Sequence, residues 1–186
     1  MSTAAVKSET ATLKNLQAAY NGESNAHARY LVFAVKAAEE GFAGVASLFR
    51  AAARAEKIHA NNHAVVIRKM NAEPQATIEA GPVRSTRENL MAAIEGETYE
   101  RDVMYPEFIK IAQQENNPAA IRTFNYALEA ETEHARLYAD ALAELPSHRG
   151  RTTYLVCAVC GFTAEKLEGA RCPVCNNPKE RFETVS

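Results

Sequence analysis

The chain has 186 residues, 47% of them apolar, with a net charge of −2 and a pI of about 6.2. That balance excludes the basic surface a nucleic-acid partner would need, and no apolar run is long enough to span a bilayer. The length suits one ordinary domain with a small appendage, and the opening Met-Ser-Thr-Ala-Ala-Val-Lys-Ser-Glu-Thr lacks the basic start and apolar stretch of a signal peptide, so a cytoplasmic protein is expected.

A first helix is expected from about Glu9 to Glu40, ending at Gly41, and a second from about Gly44 to Ala72, before Pro74. The connection from about Glu73 to Arg84 carries Pro74, Gly81 and Pro82 and reads as the crossover of an otherwise up-down bundle. A third helix starts at Ser85, where Ser85-Thr86-Arg87-Glu88 has the form of a capping box, and runs to near Asn116, with Pro106 expected to kink it. A fourth takes Asn117 as its cap and Pro118 as its first helical residue, and ends at Leu145 before Pro146. The expected division is a four-helix bundle over 1–146, a linker over 147–153 and a small Cys-rich module over 154–186.

Two segments repeat one pattern. Glu23 is followed 33 residues later by Glu56-Lys57-Ile58-His59, and Glu97 is followed 34 residues later by Glu131-Thr132-Glu133-His134. Glu and His three apart on a helix project from one face. Each of these glutamates also interrupts an apolar stripe, as Glu131 does between Leu128 and Ala135. Five carboxylates, Glu23, Glu56, Glu97, Glu100 and Glu131, are therefore expected to point at a common core. A buried carboxylate costs several kcal/mol unless it is paired or bound to metal. Two lone glutamates and two Glu-x-x-His pairs, one contribution per helix, form the ligand set of a di-iron or di-manganese carboxylate site. The plainer reading is solvated charge on Ala-rich helices; the repeat and the stripe placement weigh against it. His27 and His63 also fall on the stripes and read as core histidines or supports of the ligands rather than as ligands themselves, Glu129 and Glu133 point off the stripe, and His148 carries no signal.

All four cysteines lie near the C-terminus, as Cys157-Ala-Val-Cys160 and Cys172-Pro-Val-Cys175. Paired Cys-x-x-Cys units in a reducing compartment make a four-thiolate metal site. Gly161 and Asn176 follow the two pairs, and both tolerate a left-handed backbone that turns N–H groups towards sulfur. Spacing alone leaves iron and zinc open. Beside a di-iron bundle, redox-active iron is the better reading, because that site must receive electrons.

These residues resemble the rubrerythrins, which join a ferritin-like domain to a rubredoxin-like one. The resemblance rests on Gly22-Glu23-Ser24 with Arg29-Tyr30, Ala55-Glu56-Lys57-Ile58-His59, Gly96-Glu97-Thr98-Tyr99-Glu100 with Met104-Tyr105-Pro106, Glu131 with His134, and Cys172-Pro-Val-Cys175 with Pro178-Lys179-Glu180. It implies an all-α ferritin-like bundle with a small rubredoxin-like module. It implies a non-haem iron peroxidase reducing hydrogen peroxide to water, with a ferroxidase or an electron carrier as the alternatives. Glu56 and Glu131 would bridge two irons, Glu23 and Glu97 would be terminal ligands, and His134 would bind one iron. Glu100 and His59 would alternate on the other. Tyr30 and Tyr105 would hydrogen-bond near the metals, and the four cysteines would hold a third iron, zinc being the other metal such sites take. The resemblance further implies an external donor, a rubredoxin or an NAD(P)H-dependent reductase, and a homodimer in which the Cys-bound iron of one chain approaches the di-iron site of the other. There is no Trp, so the module's core is expected to rest on Tyr154, Phe162 and Phe182.

Overall fold

The structure, a computed structural model, describes residues 10–79 and 81–186. The expected helix start at Glu9, and all but the last of the residues read for a leader, fall outside the described residues. Helix α1 spans Ala11–Glu39 and α2 spans Ala43–Lys69. Thr10 caps α1 by accepting from the Leu13 N–H, and Glu115 accepts from Ala11 and Thr12. At the other end Gly41 takes φ +80°, and the Gly41 and Phe42 N–H groups reach back to Ala38 and Ala37. That left-handed cap stops the helix where the glycine stands.

The third expected helix is three pieces. Helix α3, Thr86–Tyr99, opens on the Ser85–Glu88 capping box. A π-helical turn, Glu100–Met104, follows, and then α4, Tyr105–Gln114. The kink expected at Pro106 thus takes the form of a widened turn just before it, in which the Tyr105 N–H bonds to the Glu100 carbonyl. Helix α5, Pro118–Ala143, is capped by the Asn117 side chain on the Ala120 N–H, and a 3₁₀ turn, Leu145–Ser147, ends the bundle. Short loops make α1 and α2 one antiparallel hairpin, and α3–α4 with α5 the other.

The crossover is held by an amide ladder. Gln17 bonds the Glu73 carbonyl and the Gln75 N–H, Asn21 accepts from the Thr77 N–H, and Asn25 bonds the Thr77 carbonyl and the Glu79 N–H. Three side chains four residues apart on α1 thus pin an extended segment at every second residue.

Two apolar clusters fill the bundle. One gathers Tyr30, Phe33, Phe49 and Tyr138, the other Leu16, Ile67, Tyr105 and Phe124. In α1 and α5 the glutamate of the repeat falls between the residues of one cluster and those of the other, and Glu97 falls between Ala93 of the first and Tyr105 of the second.

Strands β1 (Tyr154–Cys157), β2 (Thr163–Ala164) and β3 (Phe182–Val185) form an antiparallel sheet in the order β2-β1-β3. Its register pairs Val156 with Thr163 and Cys157 with Phe182. Phe162 and Phe182 pack beside the cysteines as expected, but Tyr154 does not serve the module's own core. Because β1 lies on the bundle, Tyr154 and Val156 join the first bundle cluster. The module is also held by a two-pronged Arg54–Glu183 ion pair at 2.7 and 2.8 Å. The connector bonds α2 through the His148 carbonyl, which accepts from the Gly44 N–H at 3.0 Å, so this residue acts through its backbone.

Candidate metal centre

Glu23 comes from α1, Glu56 from α2, Glu97 from α3 and Glu131 from α5, and all four are at most 1% exposed. His59 and His134 lie one turn beyond Glu56 and Glu131 on the same faces, equally buried. Their ligand-type atoms form two overlapping groups. One is Glu23, Glu56, His59 and Glu131, the other Glu56, Glu97, Glu131 and His134, with the atoms of each within 4.8 Å of one another. Glu56 and Glu131 belong to both, so the arrangement suits two adjacent cations bridged by those two carboxylates.

The Nδ1 atoms face this cluster. His59 Nδ1 lies 2.9 Å from Glu56, 3.0 Å from Glu131 and 3.8 Å from Glu23. His134 Nδ1 lies 2.8 Å from Glu131, 3.3 Å from Glu56 and 3.7 Å from Glu97. Glu23 Oε2, Glu56 Oε1, Glu97 Oε2, both Glu131 oxygens and His134 Nδ1 are buried without a hydrogen-bond partner. Six such atoms converging on one gap are far costlier than any apolar alternative, unless cations occupy it. Four carboxylates match the charge of two divalent ions, and the mixed oxygen and nitrogen set suits iron or manganese better than calcium. The residues fit the metal.

Electrostatics point the same way. Burial and the neighbouring Glu131 raise Glu97 to about 7 and push Glu56 well above the carboxylate range. Burial opposes the charge on Glu23 and Glu131, yet the imidazoles beside them hold both below it. Burial likewise opposes charge on His59 and His134, but the surrounding carboxylates hold both well above the ordinary imidazole range. Without metal, the cluster keeps its negative charge tolerable by retaining protons that cations would displace.

Glu100 is the expected ligand that stands apart. It belongs to neither group, whereas His59 Nδ1 stands among Glu23, Glu56 and Glu131. Its carboxyl instead lines a cavity of about 340 Å³, with Gly22, Asn25, Arg29, Tyr30 and Gly96. The residue is half-buried, but its carboxyl is turned inward, and that desolvation, with Glu23, Glu97 and Glu131 nearby, raises it well above the carboxylate range.

The tyrosines touch carboxylates. Tyr30 donates to Glu97 Oε1 at 2.6 Å, and Tyr105 donates to Glu23 Oε1. His63, expected to be a core or supporting histidine rather than a ligand, is wedged between the Tyr105 hydroxyl at 3.3 Å and the Thr123 hydroxyl at 3.0 Å. His27 bonds the Ala53 carbonyl, away from the cluster. Glu133 pairs with Arg136 at the surface.

The sequence reading missed what holds the histidines from behind. His59 Nε2 lies 3.1 Å from the Cys160 carbonyl, and His134 Nε2 lies 3.1 Å from the Thr163 hydroxyl. Asn62 donates to the Val159 carbonyl at 2.9 Å. The turn after Cys157 is thus seated on the bundle of its own chain, whereas the resemblance implies an approach between two chains. Gly161, at φ +82°, permits the seating, since a Cβ there would overlap the His59 ring.

Within that module, Cys157 and Cys175 sulfurs are 3.6 Å apart and Cys160 and Cys172 sulfurs 3.5 Å. These are too long for disulfides and close to the edge of a tetrahedron whose centre lies about 2.3 Å from each sulfur. Gly161 and Asn176 both have the expected positive φ, +82° and +56°, and the Asn177 amide donates to Cys175 Sγ at 3.3 Å. Hydrogen bonding from Cys160, against burial, lowers the Cys157 thiol to about 5, so a thiolate is available to a cation.

The family model for rubrerythrin matches residues 14–142. Nigerythrin of Nitratidesulfovibrio vulgaris is 38% identical over 174 residues, covering 92% of this chain and 85% of its own. Rubrerythrin-2 of Clostridium acetobutylicum is 37% identical, covering 90% and 93%. A solved structure of fully reduced, all-ferrous nigerythrin superimposes with a TM-score of 0.87 at 35% identity, covering 99% of this chain and 91% of that one.

Proposed function

The chain belongs to the rubrerythrin family, and we propose that it is a non-haem di-iron peroxidase that reduces hydrogen peroxide to water as a defence against oxidative stress. The observation that carries this reading is the pair of overlapping ligand groups sharing Glu56 and Glu131, joined through His59 to the cysteine module. Glu23, Glu56, His59, Glu97, Glu131 and His134 would hold two irons, and Cys157, Cys160, Cys172 and Cys175 a third, in keeping with the all-ferrous state of solved nigerythrin. Bound there, iron supplies the two electrons and the Lewis acidity that cleavage of an O–O bond to two water molecules requires, together with two protons.

The chain's own residues supply the rest. The cavity lined by Glu100 and Tyr30 would admit a small polar molecule beside the cluster, since Tyr30 bonds the ligand Glu97. Glu100, whose desolvation favours the protonated carboxyl, stands at that cavity wall and would donate a proton to the departing oxygen. Tyr30 and Tyr105 fix the rotamers of Glu97 and Glu23 by donating to one oxygen of each. A Glu100 freed of its proton could replace His59 as a ligand, the exchange that the resemblance implies. His59 joins the two metal sites through the Cys160 carbonyl, which suits electron supply from an external rubredoxin or reductase. The division proposed is a bundle to residue 146, a connector over 147–153 and a module over 154–186. Exposed Leu31, Val32 and Val35 along α1 support a homo-oligomer. Among the described residues no helix is long and apolar enough to cross a membrane, and unbridged cysteines favour the cytoplasm.

The test is to mix the reduced protein rapidly with peroxide and, separately, with oxygen, following re-oxidation of both iron centres. Much faster reaction with peroxide is expected. Continued oxidation of added ferrous iron, without that preference, would make the protein a ferroxidase instead.

A further inference from the structure

We propose that Thr163, in the cysteine module, is a positioning residue for the metal centre of the bundle, acting through His134. This rests on the metal reading above. Thr163 is fully buried in β2, and its hydroxyl lies 3.0 Å from the Gly161 carbonyl and 3.1 Å from His134 Nε2. A carbonyl can only accept, so the Thr163 proton points at Gly161. The hydroxyl oxygen is then left to accept, and His134 Nε2 must carry the hydrogen it offers. In a neutral imidazole that leaves the Nδ1 lone pair bare, and Nδ1 is the atom that faces Glu56, Glu97 and Glu131.

His59 is held in the same sense. Its Nε2 meets the Cys160 carbonyl, another group that only accepts, and its Nδ1 faces Glu56 and Glu131. The two histidines therefore end on consecutive carbonyls of one turn, Cys160 directly and Gly161 through Thr163. A module that contributes no ligand to the bundle site thereby fixes the tautomer and tilt of both of its imidazoles, as partners of metal-bound histidine do generally. The plainer role, a threonine hydroxyl satisfying its own hairpin, accounts for the bond to Gly161 and not for the one to His134.

The test uses the full chain loaded with cobalt(II). Wild type should show cobalt–thiolate absorption from the cysteine site, separate bands from the bundle site, and exchangeable, strongly shifted proton resonances from the Nε2–H groups of both His59 and His134. Thr163→Val keeps the shape and removes the hydroxyl. It should bind cobalt in the bundle about 10–100-fold more weakly, keep the thiolate bands, and lose or broaden the His134 resonance alone. Thr163→Ser should restore both affinity and resonance. The proposal is overturned if Thr163→Val binds bundle cobalt within a factor of about two of wild type with both resonances intact. It is also overturned if Thr163→Ser fails as badly as Thr163→Val, which would assign the effect to the methyl group. Wild-type protein that takes up cobalt only at the cysteines would instead sink the metal reading, and the proposal with it.

Discussion

The Nε2 atom of His59 lies 3.1 Å from the carbonyl oxygen of Cys160, while Nδ1 of the same ring faces three carboxylates. One imidazole spans the space between a four-carboxylate cluster and a four-thiolate one. His59→Ala should leave the cysteine site loaded but slow its re-oxidation after peroxide by about 10–100-fold, because a ligand and the shortest bonded path go together. Stopped-flow absorption of the thiolate-bound iron measures this; an unchanged rate would show that electrons travel another way.

Gly161→Ala should loosen the seat of the module. The added Cβ meets the His59 ring and the backbone sits at φ +82°, so the expected cost is about 1–3 kcal/mol. Calorimetry should record a melting temperature lower by about 3–10 °C. An equal or higher value would mean that the turn is not held against α2.

Glu100→Ala removes a carboxyl that belongs to neither ligand group. Iron content should stay close to wild type while peroxide turnover falls by about a hundredfold or more, the scale on which a positioned proton donor acts. Metal analysis beside the peroxidase assay separates the two effects, and unchanged turnover would remove Glu100 from the chemistry.

Metal removal should invert the pH dependence of stability. In the metal-free protein His59 and His134 are raised above 6.5, so their contribution is complete below that pH and lost as pH rises through the raised values. Glu97 acts in the same direction, complete below 4.5 and lost as pH passes about 7. The lowered Glu23 and Glu131 work oppositely, and their contribution disappears only in acid below 4.5. Between about pH 6 and pH 8 the chelated protein should therefore lose stability, whereas metal-loaded protein should hold or gain it, since cations bind the deprotonated ligands. Melting curves at both ends of that range, with and without chelator, decide the matter.

Gly96 faces the cavity from the interior of α3, and a Cβ there would meet nothing within 4 Å. Gly96→Ala should thus stabilise the helix by about 0.5–1 kcal/mol, because no contact opposes the gain in backbone rigidity. Gly96→Leu should fill the cavity and slow a bulky alkyl hydroperoxide more than hydrogen peroxide. Equal slowing of both would place the route elsewhere.

Much of this was legible because helix periodicity is local. Gly41, the Ser85 box and Asn117-Pro118 mark boundaries by chemistry confined to one turn, and the stripe that Glu131 interrupts reports burial without reference to any other helix. The six residues that converge carried that local signal. What the sequence hid depends on partners far along the chain. His59 meets a carbonyl 101 residues away, and His134 meets a hydroxyl 29 residues away in a different element. Neither Cys160 as an acceptor nor Thr163 as a prop has any periodicity of its own. Tyr154 was assigned to the wrong core because a short strand's inward face cannot be told from sequence when two hydrophobic surfaces compete for it. Glu100 carried the same stripe signal as the others, yet it lines a cavity beside the cluster and joins neither group, a difference of a few ångströms that periodicity cannot register.

The amide ladder along α1 works as a vernier. Four helical residues advance about 6.0 Å, while two extended ones advance about 6.6 Å, so the scales slip by about 0.6 Å per rung. Gln17, Asn21 and Asn25 span two such intervals, and the accumulated slip of about 1.2 Å is near what amide side chains absorb by rotation. A fourth rung would fall to Arg29, which is no short amide and offers no acceptor to a backbone N–H. The scale therefore has a natural last mark at Glu79, whose N–H donates to Asn25.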